Sequence, residues 1–461
     1  RVLEDRPTAV TAGPKLLSAP LAGIELPLVG REAAYQRMTE ALSRARAGRG
    51  QVVLLAGEAG IGKSRLMHTF AEQATDRALV LSGAARPAEQ TAPYQPIAEV
   101  LRSAPGWPGV ASAVDPIWLA EAARLLPELR ELELDLPPPL PVEPEEARTR
   151  LLHALRQLAA GLARGSQALL LCLDDIHWAD SATLNWLVYL AGWLSEQPVM
   201  MVGTYRTGEE GRLEELRHAL RRLRLLSEIL LAGLAPGAVR EVVSHVTGSR
   251  RGTPHFAERL HRATGGNPFF IIEILRELLE SGQLNGDLNR LRELPLPVTL
   301  QEAVEARLAR TSQKARQLLD AGAVLGVSFD LNVLCATAGR RGIEAIDALD
   351  ELAARQLLIE EGRGYGFKHT LIRQAVEAGM SPVRRQLLHR RAAEALIRLA
   401  PTSVGAIARH FDLGGRPREA LLYYGDAAEE AEALFCWGEA EAYQARMLTL
   451  LDRIDPDASE P

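Results

Sequence analysis

The 461-residue chain has few cysteines and no long apolar run, and both absences narrow the class of protein. Its cysteines, Cys172, Cys335 and Cys436, are scattered and lack the spacing of a metal site, which is typical of buried thiols in a reducing compartment. The longest apolar run, residues 168–173, is far shorter than the roughly 20 residues of a membrane-spanning helix. We therefore expect a cytoplasmic protein that does not contact a membrane.

Basic residues form no long stripe anywhere in the sequence, and the formal net charge is −6. Residues 401–461 carry 5 arginines against 12 acidic residues, so the acidic excess is confined to the C-terminal part. This distribution argues against a nucleic-acid-binding surface along most of the chain.

The length predicts roughly three domains, and 47% hydrophobic with 24% charged residues is typical of globular proteins. The chain begins with Arg1 and shows no signal peptide, so we expect a fragment of a longer protein. Residues 1–27 contain four prolines without periodicity, which predicts a linker.

Residues 28–235 alternate short apolar runs with helical patterns, which predicts a parallel α/β sheet. The nearly continuous apolar character of these runs is typical of strands covered by helices on both faces. The five predicted strands are residues 52–56, 78–82, 168–174, 199–204 and 228–232.

The rest of the chain is predicted to be mainly helical, in three parts. Residues 236–295 form a helical lid, broken at the turn 265–268. Residues 296–368 combine short helices with a terminal hairpin, which predicts a winged-helix domain. Residues 369–461 contain helix pairs with small residues at the spacing of tetratricopeptide-like repeats, as at 417–433 and 437–451.

The most specific motif is a phosphate loop that follows the first predicted strand and precedes an amphipathic segment starting at Arg65. Its glycines allow backbone N–H groups to converge on phosphates, and the following helix adds its positive end. The lysine supplies charge to the outer phosphates, and the serine hydroxyl ligates Mg²⁺. The loop comprises Gly57, Glu58, Ala59, Gly60, Ile61, Gly62, Lys63 and Ser64.

A second motif ends the strand at 168–174, where ligands of open α/β sheets bind. Asp174 would hold Mg²⁺ through water, opposite Ser64. Asp175 stands where a carboxylate can orient or deprotonate the attacking water. His177 and Trp178 either shape the loop beyond Asp175 or contact the nucleotide, and the sequence leaves both roles open.

Together with these two motifs, several further segments resemble the signal-transduction ATPases with numerous domains (STAND), an offshoot of the AAA+ ATPases. The likeness extends to the ATPase cores of large bacterial transcriptional regulators, of the LuxR-type maltose-regulator kind or the antibiotic-regulatory (SARP) kind. The segments that carry it are Leu-Val-Gly-Arg-Glu at 28–32, Asp-Asp-Ile-His-Trp-Ala-Asp at 174–180, Gly-Thr-Tyr-Arg at 203–206, Gly-Asn-Pro-Phe at 266–269, Leu-Gln-Glu-Ala-Val at 300–304 and Phe-Lys-His at 367–369.

The resemblance implies roles for residues outside the phosphate loop. The segment Val29, Gly30, Arg31 would flank the adenine of ATP or ADP, and Pro268 would pack on the base. Arg206 matches a sensor of the γ-phosphate. His369 matches a histidine that contacts the β-phosphate in the closed ADP state, although Phe-Lys-His departs from the better-known Met-His-Asp triplet.

The resemblance implies an ATP/ADP switch in a transcriptional regulator, with slow hydrolysis, self-association on activation and an inducer that acts through the C-terminal repeats. DNA would be contacted only by a domain outside this chain. Slow turnover is expected also because Asp175 replaces the usual glutamate, and because the sequence offers no identifiable arginine finger. Two alternatives stay open: an AAA+ motor or remodelling enzyme, and a DNA-binding module that uses the winged helix.

Overall fold

The structure is a computed structural model that describes most of the chain. The described residues are 26–86, 93–105, 107, 114–131, 136–138, 140–164, 168–248, 253–280, 308, 311–340, 343–355, 357–361, 364–368 and 370–454.

A five-stranded parallel sheet lies at the centre of the first half of the chain, in the order β2–β3–β4–β1–β5. This confirms the predicted α/β phosphate-loop fold, and each strand end lies within two residues of its predicted position. The strands are β1 (Gln51–Gly57), β2 (Leu79–Ala84), β3 (Leu169–Asp174), β4 (Val199–Arg206) and β5 (Leu226–Leu230).

Helices cover both faces of this sheet, as the continuous apolar strands predict. Alternate residues of β1 enter different cores: Val53 and Leu55 pack with Phe70 on one face, whereas Leu54 packs with Trp186 on the other. The covering helices are α1 (Glu32–Arg46), α2 (Lys63–Gln73), α3 (Gln95–Arg102), α4 (Pro116–Ala122), α5 (Pro144–Arg164), α6 (Ser181–Leu194) and α7 (Glu214–Arg222).

The three helices that follow have a core of their own. They are α8 (Pro236–Thr247), α9 (Thr253–Thr264) and α10 (Pro268–Glu280), and their core includes Val243, Phe256 and Ile274. Gly265 and Gly266, at φ +62° and +74°, end α9 at the predicted break. Because Val29 joins this core, the segment before α1 ties the helical lid to the sheet domain.

A small antiparallel sheet in the order β6–β8–β7 follows, and helices pack against it. The observed hairpin of β7 and β8 agrees with the predicted strand pair, while the winged-helix assignment stays a prediction. The elements are α11 (Gln313–Leu325), β6 (Ser328–Asp330), α12 (Leu331–Ala338), α13 (Ile343–Ala354), β7 (Leu358–Glu361) and β8 (Gly364–Phe367).

The last elements are five helices, α14 (Thr370–Ala378), α15 (Pro382–Leu399), α16 (Val404–Leu413), α17 (Pro417–Ala433) and α18 (Trp437–Ile454). The apolar side chains of α16 to α18 share a continuous core with α5 and α6 of the sheet domain. At this contact Glu439 accepts a hydrogen bond from the Ser181 hydroxyl at 2.5 Å. Among the described helices, none has both the length and the apolarity to cross a membrane.

Candidate nucleotide site

The phosphate loop joins β1 to α2 and depends on glycine at its tightest points. Gly60 and Gly62 have φ of +77° and +97°, and a Cβ at position 60 would lie 2.8 Å from the Cβ of Phe269. The buried ammonium of Lys63 donates to the carbonyl oxygens of Gly57 and Glu58, at 3.0 and 2.9 Å. Burial lowers the pKa of Lys63, against the opposing effect of Asp175. The lysine is therefore held beside the loop.

The hydroxyl of Ser64 donates to Asp174 Oδ1 at 2.9 Å, so the two predicted Mg²⁺ ligands meet. A serine hydroxyl and a carboxylate are oxygen donors of the kind that suits Mg²⁺. Within the described residues, no three histidine, cysteine or acidic side chains are grouped so as to hold a metal ion. A magnesium ion here would take its remaining ligands from water and phosphate, as is usual for this ion.

Thr204 is a site residue that the sequence reasoning missed. Its hydroxyl donates to Asp174 Oδ1, and the backbone N–H of Asp175 donates to the same hydroxyl oxygen at 2.8 Å. Thr204 thus links the end of β3 to β4 and holds the carboxylate of Asp174 and the backbone of Asp175. The sequence signal for it is its place in the Gly-Thr-Tyr-Arg segment, two residues before Arg206.

Asp175 lies directly beyond β3 in the left-handed region, with φ +50°. Burial raises the pKa of its carboxyl group to about 7, and Asp174 acts in the same direction, whereas Arg206 and Lys63 oppose it. A carboxyl group with this pKa is partly protonated at neutral pH. It is therefore a base of limited availability for activating water.

Arg206 ends β4 opposite Gly57 in the β1–β4 ladder, which brings it to the phosphate loop. Its Nη1 lies 4.0 Å from Glu209 Oε1, and His177 Nε2 lies 3.1 Å from Glu209 Oε2. Burial lowers the pKa of His177 to about 3, with further effects of Arg206 and Lys63 in the same direction, so its ring is neutral.

The segment before α1 reaches the phosphate loop through Arg31, whose Nη2 donates to the carbonyl oxygen of Ile61 at 2.9 Å. Gly30 has φ +68°, and a Cβ there would lie 2.9 Å from the Cβ of Ala238 in the lid. The side chain of Val29 is buried in the lid core. Arg65, just after the loop, donates to the carbonyl oxygen of Leu26. Val29, Gly30 and Arg31 thus contact the lid and the phosphate loop, and their predicted contact with adenine stays a prediction.

Pro268 is the first residue of α10, one position after a residue that binds the phosphate loop. The side-chain amide of Asn267 donates to the carbonyl oxygen of Ala59 at 3.1 Å, and its Oδ1 accepts from the N–H of Phe269 at 3.0 Å. Sequence reasoning missed Asn267 as a site residue, although it lies in the Gly-Asn-Pro-Phe segment. His369 lies outside the described residues, so its predicted contact with phosphate stays a prediction.

Comparisons with known proteins agree with this geometry at the level of one domain. A family model described as the AAA ATPase domain matches residues 27–202. The chain is also 26% identical to an uncharacterised protein of Rhizobium meliloti over 94% of its own length, and it spans 44% of that relative. The predicted resemblance is thus confirmed for an AAA-type ATPase domain, whereas the kind of regulator is not.

Three of the solved structures that the chain matches have identities of 13–15%. A STAND protein with a tetratricopeptide repeat sensor from Pyrococcus horikoshii has a TM-score of 0.44, covering 94% of this chain and 66% of that one. A Walker-type ATPase of Pyrococcus abyssi has a TM-score of 0.38, and the match covers 76% of this chain and 96% of that one. The ORC2 protein of Aeropyrum pernix has a TM-score of 0.37, and the match covers 80% of this chain and 96% of that one.

Proposed function

We propose that this chain binds ATP or ADP with Mg²⁺ at the phosphate loop and acts as a slowly hydrolysing signal-transduction switch in a bacterial regulator. The observation that carries the proposal is the hydrogen bond from Asn267 of the lid to Ala59 of the loop. Because the lid contacts the loop itself, any backbone adjustment around bound phosphates is transmitted to the lid.

The contact between α6 and α18 supports a signal route from the other side of the site. Ser181 begins α6 only six residues after Asp175, and its hydroxyl and N–H both donate to Glu439. A change at the C-terminal helices therefore reaches the segment that follows the two carboxylates. We propose that an inducer acts on those helices and that the ATP state self-associates.

Slow hydrolysis is supported by the carboxylates. Asp175 has a shorter side chain than glutamate, and its raised pKa reduces the ionised fraction at neutral pH. Ser64 and Asp174 would hold Mg²⁺, which supplies charge neutralisation for the phosphates. Lys63 and Arg206 add positive charge from the loop and from β4.

The test combines nucleotide binding with turnover. We expect the purified chain to bind ADP and a non-hydrolysable ATP analogue, and to turn over ATP more slowly than about one per minute, far below the range of typical enzymes. Lys63→Ala should abolish binding, whereas Lys314→Ala, which changes an exposed lysine paired with Glu344, should not. Light scattering should show self-association with the ATP analogue only.

Each readout has a contrary result. A steady rate well above one per minute would favour the motor over the switch. Retention of nucleotide by Lys63→Ala would show that the phosphate loop has been assigned wrongly.

A further inference from the structure

We propose that Glu209 is a specificity-determining residue, whose carboxylate competes with the γ-phosphate of ATP for Arg206 and so favours ADP. This inference rests on the proposed function, because it requires that Arg206 faces the terminal phosphate. It assigns a role to a residue three positions beyond the sensor arginine, in a turn that carries no motif.

The geometry of the turn places both oxygens of one carboxylate against two different side chains. The chain reverses after β4, where Gly208 has φ +89° and the N–H of Glu209 donates to the carbonyl oxygen of Arg206 at 3.2 Å. From this position Glu209 Oε1 lies 4.0 Å from Arg206 Nη1, and Glu209 Oε2 lies 3.1 Å from His177 Nε2. Glu209 therefore faces the nucleotide site.

His177 lies beside the second oxygen of that carboxylate. Only 1% of its side chain is exposed, and neither ring nitrogen has a hydrogen bond of good geometry within the described structure. Its Nδ1 lies 3.9 Å from Asp175 Oδ1. A buried donor without a partner is costly, and the Glu209 carboxylate, already 3.1 Å from Nε2, needs only a change of angle to accept a hydrogen bond from this ring. His177 is in this sense a positioning residue.

The charges around Arg206 explain why the competition is selective for the triphosphate. Arg206 and Lys63 supply positive charge, and Glu209 supplies a tethered negative charge at the same arginine. A γ-phosphate must displace this carboxylate from Arg206, whereas ADP has no γ-phosphate and leaves the pair of Arg206 and Glu209 intact. Glu209 is 41% exposed, and ion pairs at such positions change an equilibrium by up to about fivefold.

The experiment measures affinity for ADP and for a non-hydrolysable ATP analogue by calorimetry with Mg²⁺, on the full chain. Glu209→Gln should bind the ATP analogue about two- to fivefold more tightly, with its ADP affinity unchanged. Glu215→Gln, an equal charge change at an exposed position on α7, should leave both affinities unchanged. His177→Ala should shift affinity in the same direction as Glu209→Gln, by a smaller factor.

A double-mutant cycle identifies Arg206 as the competed group. In an Arg206→Ala background, Glu209→Gln should no longer change the ratio of the two affinities. The proposal is overturned if Glu209→Gln strengthens both nucleotides equally, or if its selective effect survives without Arg206. If the unmodified chain binds neither nucleotide, the proposed function fails as well, and this result is distinct from the other two.

Discussion

Replacing Asp175 by asparagine should stabilise the ligand-free protein, in a manner that depends on pH. Burial beside Asp174 raises the pKa of Asp175 from 3.8 to about 7. As the pH rises above 3.8, the unfolded chain releases this proton first, so the folded state loses stability until the pH passes about 7. Asparagine removes the titrating group. It also tolerates the left-handed backbone at this position, where φ is +50°.

The magnitude follows from the difference between the two pKa values. Each pKa unit corresponds to about 1.4 kcal/mol, so the full difference sets a ceiling of about 4 kcal/mol above pH 7. The side chain keeps 25% exposure, and solvent around it reduces the expected gain to about 2 kcal/mol. At pH 5 the gain should be smaller than at pH 8, because only part of the titration has occurred.

Thermal unfolding of the ligand-free protein, followed by circular dichroism between pH 5 and pH 8.5, measures this gain. A gain of 2 kcal/mol corresponds to a rise of about 4–8 °C in the midpoint of a domain of this size. Asp76→Asn is the matched control, since that side chain is 72% exposed and its substitution should not change the midpoint. A lower midpoint for Asp175→Asn at pH 8, or an equal rise at pH 5 and pH 8, would refute the argument from a buried charge.

Three further substitutions each test the contacts of one side chain. Ser64→Ala should weaken nucleotide binding at least about tenfold with Mg²⁺ and leave it unchanged with EDTA, by calorimetry, because only the metal-dependent contact is lost. Asp180→Ala should lower the free energy of unfolding in urea by about 1–2 kcal/mol, since Asp180 caps α6 and accepts the N–H of Tyr94. Glu121→Gln should lower the free energy of unfolding in urea by about 2 kcal/mol, because buried Glu121 pairs with Arg124 and Arg150. An unchanged urea midpoint would contradict this.

The phosphate loop and the sheet strands were predictable because their chemistry is local. Glycines at fixed positions, then Lys63 and Ser64 at the start of a helix, define an anion-binding turn within a dozen residues. The strands are short apolar runs, and this pattern located all five within two residues of their observed ends. The C-terminal end of β4 shows the limit. It extends to Arg206 because pairing with β1 continues to Gly57, which the local sequence does not reveal.

The contacts around the loop depend on residues that are distant in sequence. Asn267 reaches Ala59 across 208 positions, and Arg31 reaches Ile61 across 30. Each pair forms only because the lid packs on the loop and the first helix packs on the sheet. A polar side chain in a turn can form its hydrogen bonds with water instead, so the sequence alone gives no reason to prefer one hydrogen-bond partner.

The sequence by itself determined that this chain contains a phosphate loop, a paired acidic strand end and the order of the elements that follow. Tertiary structure decided which side chains share the site: Thr204 joins the carboxylate of Asp174 to the backbone N–H of Asp175, and Glu209 lies between Arg206 and His177. The physical reason is the register of the sheet. Pairing of Leu173 with Gly203 sets the ends of β3 and β4 side by side, and a shift of one residue would turn Thr204 to the other face.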